Sequence, residues 1–123
     1  MSSENLNLLQ GTLDILVLKA LASEPRHGYA VARWIRSTTD EALQIEEGAL
    51  YTALHRMEKR GWIESSWGLS ANNRKAKFYG LTPAGTKQLR RASESWSRYA
   101  EAVFKVLRAP EGGLAEEAME VVS

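Results

Sequence analysis

Glu46-Glu47-Gly48-Ala49-Leu50-Tyr51-Thr52-Ala53-Leu54-His55-Arg56-Met57-Glu58-Lys59-Arg60-Gly61-Trp62-Ile63 is the stretch whose reading decides the fold. Leu50, Leu54 and Met57 recur at i, i+4 and i+7, one face of an α-helix. At about 100° per residue the opposite face carries Gly48, Thr52, His55, Arg56 and Lys59. Small, hydroxyl, imidazole and basic groups are the set that touches base edges and phosphates. Gly61 suits a helix stop, and Lys59 and Arg60 lie in the last turn, where cations complement the helix dipole. Trp62 and Ile63 begin an extended segment. A short helix with a polar outer face that runs directly into a hairpin predicts the recognition helix and wing of a winged helix-turn-helix fold. Its partner is then double-stranded DNA.

Downstream, residues 62–81 read as that hairpin. Ile63, Ser65 and Trp67 alternate with Glu64 and Ser66, the period-2 signal of a half-buried strand. Ser70-Ala71-Asn72-Asn73 is the turn, since Asn tolerates the left-handed conformation. The return strand begins with Arg74, Lys75 and Lys77 clustered near the tip. Arginine there either enters a minor groove or neutralises phosphate. The plainer reading is a charged tip that discourages edge pairing. Trp34, Trp62 and Trp67 are expected in core or hairpin packing.

Upstream, residues 6–22 form a helical block that is apolar on nearly all sides, so it is buried or lies between partners. Ser23-Glu24-Pro25 ends it. His27-Gly28-Tyr29 opens a second helix to about Ser37, with Tyr29, Val31, Ala32, Trp34 and Ile35 as its apolar positions. Arg33 and Arg36 are free to face solvent or phosphate. His27 reads as helix-start structure rather than as a ligand. Residues 37–40 are a polar connector, with Leu43 and Ile45 as anchors ahead of the third helix. Two helices, a short connection and a helix with a polar outer face make the helix-turn-helix pattern.

Thr82-Pro83-Ala84-Gly85 is a helix start, with Thr as N-cap and Pro at the first helical position. The helix that follows runs to about Arg108, about 37 Å. Leu89, Ala92, Trp96, Tyr99, Val103 and Val106 are spaced 3, 4, 3, 4 and 3 apart, an a/d seam. A seam this long is more than one small domain covers, so it predicts a homodimer. Ala109-Pro110-Glu111-Gly112-Gly113 is a breaker. Leu114, Ala118, Met119 and Val122 then suit either a short amphipathic helix or a loose terminus. The expected organisation is a winged helix-turn-helix domain over residues 1–82, a dimerisation helix over 83–108 and an acidic tail over 109–123. The fold class is mainly α with a small β-hairpin.

Composition limits the alternatives. With 44% apolar residues in a chain of 123, a core is available, and the absence of cysteine removes disulfides, thiolate catalysis and zinc–thiolate sites. The net charge of +1 hides an asymmetry: residues 24–108 hold 15 Lys and Arg against 9 Asp and Glu, while the tail holds four Glu and no base. A basic body suits a polyanion. The N-terminus lacks the features of a signal peptide, and the longest apolar run is too short and too interrupted to span a bilayer, so a cytoplasmic protein without a membrane partner is expected. No nucleophile–base pair, paired acids or phosphate loop is recognisable, and the two histidines lie far apart. No enzyme, metal site or cofactor is expected.

With these residues in place, the chain resembles the PadR family of bacterial transcriptional regulators, in the short form with a single C-terminal dimerisation helix. The resemblance spans residues 6–107. It rests on Gly11-Thr12-Leu13, His27-Gly28-Tyr29, Gly48-Ala49-Leu50-Tyr51 followed by Leu54, Glu58 and Arg60-Gly61, and Tyr79-Gly80-Leu81-Thr82-Pro83-Ala84-Gly85. The family often has Ser-Pro before the glycine of the recognition helix, where this chain has Glu46 and Glu47. The resemblance implies a dimeric repressor of nearby genes, and for some members a response to phenolic acids or flat aromatic drugs. Trp96 is the residue placed to stack on such an effector; the alternative is packing against the first helix or a symmetry mate. DNA contacts are expected from Tyr51, Thr52, His55, Arg56, Lys59, Arg74, Lys75 and Lys77. For Tyr51, packing on the second helix with the hydroxyl toward phosphate stands beside core packing alone. A winged-helix protein-interaction module without specific DNA binding is the rival function, and Glu46 and Glu47 sit more easily with it.

Overall fold

In the computed structural model, residues 10–111 are described. The order is α1 (Gln10–Ala20), β1 (Arg26–His27), α2 (Gly28–Thr38), α3 (Glu47–Lys59), β2 (Ile63–Leu69), β3 (Lys75–Leu81) and α4 (Pro83–Leu107). The chain packs as two compact units divided after Ser93, so α4 begins in the first and continues in the second. The expected segment from Leu114 to Val122 lies outside the described residues.

The core belongs to the first unit. Val17, Leu18 and Leu21, Val31 and Ile35, and Leu50, Ala53, Leu54 and Met57 are buried together with Ile63 and Tyr79 of the sheet, and Leu81 and Leu89 pack against them. Three helices therefore present apolar stripes to one another, and the sheet closes the remaining side. The mainly α winged-helix fold expected from the periodicities is the fold observed.

Two differences are informative. The sheet has three antiparallel strands in the order β1-β3-β2, not two, because Arg26 and His27 pair with Tyr79 and Phe78. A two-residue strand is too short to leave a period-2 signature. Within β2, burial fades from Ile63 to Trp67, which is 65% exposed. Of the two places expected for Trp67, core or hairpin, the hairpin is the one observed: its strand has passed the end of the core by that residue, and Lys75 Nζ lies 5.4 Å from its ring centroid.

Local chemistry fixes the joints. Arg26 Nε donates to the Ala20 carbonyl at 2.7 Å, closing the end of α1. His27 caps α2, its Nδ1 accepting from the Ala30 amide at 3.2 Å. Thr39 Oγ1 donates to the Ile35 carbonyl at 2.9 Å and accepts from the Leu43 amide at 3.0 Å, and Asp40 and Glu41 take positive φ of 51° and 71° to turn the chain toward α3. Gly61 ends α3 at φ 78°, and Asn73 turns the wing at φ 64°.

The start of α4 is a clasp. Thr82 Oγ1 accepts from the Gly85 amide at 3.0 Å and donates to the Gly61 carbonyl at 2.5 Å, while the Thr82 amide donates to the Trp62 carbonyl at 3.1 Å. The helix lies so close to the connection between α3 and β2 that a Cβ on Gly85 would stand 1.9 Å from the Trp62 carbonyl oxygen. The Thr-Pro-Ala-Gly motif is thereby explained by contact as well as by capping.

Between α1 and α3, the Arg56 guanidinium pairs with the Asp14 carboxylate through Nη2 and Oδ1. Both side chains are largely buried, and Arg56 Nε finds no hydrogen-bond partner among the described residues. Burial pushes the Asp14 pKa above its ordinary value, outweighing the pull of Arg56 in the other direction.

Two outcomes follow for stability. Gly85→Ala is expected to lower stability by about 2–3 kcal/mol, since the new methyl meets backbone that cannot turn aside. Gly11→Ala, with open space around it, should instead be neutral or stabilising by up to about 1 kcal/mol. Urea unfolding of both variants checks this, and equal effects would sink the clasp. For Asp14, the folded chain holds the proton more tightly than the unfolded chain. Its contribution to stability is therefore full below the ordinary carboxylate pKa and is lost as pH rises through the raised value. Asp14→Asn keeps an acceptor for Arg56, and we expect it to match or exceed the parent at neutral pH, the difference closing in acid. Asp14→Ala strands the guanidinium and should lose about 1–3 kcal/mol. Denaturation of the three proteins at acid and neutral pH separates these cases; an Asn variant weaker than the parent at neutral pH would mean that the charged pair itself is stabilising.

Candidate nucleic-acid interface

The interface is built on α3. Leu50, Ala53, Leu54 and Met57 are buried to 1% exposure or less, which fixes the rotation of the helix about its axis. That rotation leaves Thr52, His55 and Lys59 exposed on the outer face, with Gly48 above them. At the N-terminus Glu46 acts as N-cap, its Oε1 accepting from the Ala49 amide at 3.1 Å, and Glu47 adds a second carboxylate to the first turn. Of the two acids that stand in place of Ser-Pro, Glu46 thus satisfies one amide of the helix terminus and Glu47 adds a charge that suits the helix dipole.

Of the residues expected on DNA, Arg56 is placed differently from the rest. It lies on the flank of α3, and its guanidinium is drawn inward to Asp14. In this structure the guanidinium is engaged between α3 and α1 rather than presented on the outer face with Thr52, His55 and Lys59. Tyr51 is 43% exposed, and its ring lies against Gly28 of α2, where a Cβ would stand 2.6 Å from the hydroxyl oxygen. Its ring therefore packs on the second helix. The glycine of His27-Gly28-Tyr29 is what makes room for that ring.

The wing is tied to α3 through Glu58. Its Oε2 accepts from Ser65 Oγ at 2.6 Å, and its Oε1 lies 3.7 Å from Lys77 Nζ. Lys77 also sits over the Tyr79 ring at 5.7 Å, so it is engaged within the fold. Arg74 and Lys75 are exposed at the tip, Lys75 Nζ lying 5.4 Å from the centroid of the Trp67 ring.

Between the wing and the start of α2 runs an open groove of about 680 Å³, lined by Tyr29, Arg33, Tyr51, Trp67, Arg74, Lys75 and Lys77 among others. Two of these were misjudged or left open by periodicity. Tyr29, read as an apolar position of α2, is 61% exposed. Arg33 lies over the Tyr29 ring at 5.4 Å. The signal was available: Tyr29 is two residues before buried Val31, almost opposite it on a helix.

On α4, Leu89 packs against the winged-helix core rather than standing free on a seam, and Ala92 is half-buried. In the second unit Tyr99 and Val106 are 63% and 75% exposed, and Trp96 and Val103 are also on the exposed side of the balance. Phe104 and Leu107, which the 3-4 spacing did not include, are exposed there too. Among the described residues no helix is long and apolar enough to cross a membrane.

Known proteins share this arrangement. A transcriptional regulator from Eggerthella lenta, described as of the PadR family, is 34% identical, with a TM-score of 0.69 over 89% of this chain and 93% of its own. A transcriptional regulator from Clostridium thermocellum is 32% identical, with a TM-score of 0.70 over 78% and 90%. A PadR-like transcriptional regulator from Bacillus cereus is 27% identical, with a TM-score of 0.71 over 84% and 98%. The model of the transcriptional regulator PadR-like family matches residues 17–91, more than half of the chain. Because that match takes in α2, α3, the whole wing and the start of α4, this chain belongs to the PadR-like family and is a DNA-binding transcriptional regulator rather than an enzyme.

Proposed function

We propose that the protein is a cytoplasmic homodimeric repressor that reads an inverted repeat, each α3 entering a major groove and each wing the flanking backbone or minor groove. The observation that carries this reading is the outer face of α3, where Thr52, His55 and Lys59 are exposed together beside a wing tip bearing Arg74 and Lys75. With Arg56 held by Asp14, discrimination between bases falls to Thr52 and His55, with Lys59 as a phosphate contact. Two-fold related helices about one DNA turn apart require a dimer. Support for one comes from α4, whose Trp96, Tyr99, Val103, Phe104, Val106 and Leu107 form an exposed apolar surface. In a dimer a flat aromatic effector would stack on Trp96 and relieve repression.

An anisotropy titration against the DNA upstream of the protein's own gene, beside random duplex and at two salt concentrations, tests the reading. Tight binding with a steep loss of affinity at higher salt is expected. His55→Ala should cost about 1–2 kcal/mol on the operator and little on random duplex. Lys59→Ala should weaken both equally and reduce the salt slope by about 0.9. Operator binding no stronger than random binding would leave the repressor reading without support.

The dimer has its own measurement. Light scattering at micromolar concentration should give twice the chain mass, and Val103→Glu should shift the protein toward monomer and weaken operator binding. A parent protein that scatters as a monomer would remove the inverted-repeat geometry.

A further inference from the structure

Trp67 is the residue that the fold leaves unexplained. It and Leu69 are 65% and 66% exposed on the same face of β2 as buried Ile63. A lone exposed apolar side chain carries no message, but this ring is part of a built wall. Lys75 Nζ lies 5.4 Å from its centroid, and the ring lines the groove that Tyr29 and Tyr51 also line. Four cations line the same groove, and among the described residues no carboxylate does. Flat apolar rings interspersed with cations match a polymer in which sugars alternate with phosphates. The position agrees with the chemistry. The groove lies between the wing and the start of α2, with Tyr51 of α3 also on its wall. On the proposed reading α3 enters a major groove and the wing meets the flanking backbone or minor groove, so one strand of the duplex passes between these two elements and beside this groove.

We propose that this groove seats that sugar–phosphate strand, with the Trp67 ring packed on deoxyribose and Arg33 and Lys75 beside the flanking phosphates. The inference rests on the reading of α3 and the wing as duplex-binding elements. It adds a contact of a different kind, because an apolar contact releases no counterions and so is independent of salt.

The test is a salt series of titrations on operator and random duplex with the parent, Trp67→Ala, Trp67→Phe and Lys75→Ala. Trp67→Ala should weaken both duplexes about 5- to 20-fold at every salt concentration, with the slope of log K against log salt unchanged. Trp67→Phe should recover most of the loss. Lys75→Ala should reduce the slope by about 0.9. Thermal unfolding of the variants should match the parent, since the ring is exposed. Should Trp67→Ala melt early, acrylamide quenching replaces it: duplex should protect an indole in the parent that is absent in Trp67→Phe. Parent-like affinity of Trp67→Ala, or no such protection, overturns the proposal and leaves DNA binding intact. A slope that falls as in Lys75→Ala also overturns it, because Trp67 would then act only by holding the lysine. A parent that binds neither duplex overturns both readings together.

Discussion

Everything on the outward side of this protein depends on how α3 is rolled about its axis. Leu50, Ala53, Leu54 and Met57 are almost fully removed from water, and turning the helix by one residue's worth of angle would exchange several of them for polar side chains. At about 25 cal/mol per Å² of apolar surface, losing even one large side chain from this stripe costs about 2 kcal/mol. The roll is therefore strongly specified. Two polar contacts on its flanks agree with it: Arg56 reaches Asp14 of α1 on one side, and Glu58 reaches Ser65 and Lys77 of the wing on the other. Since the burial of Asp14 outweighs the attraction of Arg56, the first contact contributes position more than stability.

The same economy of parts places the wing. Only Arg60, Gly61 and Trp62 separate α3 from β2, and the carbonyls of Gly61 and Trp62 are both taken by Thr82. Gly85 then brings the first turn of α4 against Trp62 without a side chain between them. The recognition helix, the first wing strand and the start of α4 thus meet at one short segment of backbone. A shift of α3 would have to move the wing with it, which suits the proposed reading in which both elements contact one duplex.

What the sequence made legible was what repeats or what punctuates. The stripe of α3 and the alternation of β2 are periodic, and Thr82-Pro83, Gly61 and Asn73 are stop and start signals with a physical cause. These were sufficient for the fold. Side-chain destinations were less legible, because a helical wheel gives the direction of Cβ and not of the atoms beyond it. Arg56 sits on the flank of α3, and its long stem lets the charged end curl back to a carboxylate forty-two residues away in sequence. Tyr29 differs in the opposite sense. Its residue type points inward, although its neighbour Val31 already occupies the buried side of that helix. The short strand of Arg26 and His27 left no pattern at all, since its pairing is dictated by β3.

The charge layout along the interface follows from the same local rules. The amide at the start of α3 is satisfied by Glu46, and Glu47 lies in the same turn, so that end of the helix repels phosphate rather than attracting it. Cations lie elsewhere: Lys59 at the far end of α3, Arg74 and Lys75 on the wing, and Arg33 on α2 across the groove. In the proposed complex, a phosphate backbone that avoids the first and meets the others would be displaced along α3 toward its C-terminal half, with Thr52, His55 and Lys59 nearer the DNA than Gly48 and Ala49. The replacement of Ser-Pro by two glutamates therefore does more than cap a helix. On the proposed reading it would also bias which end of α3 takes the duplex, and with it which side chains are in a position to read bases.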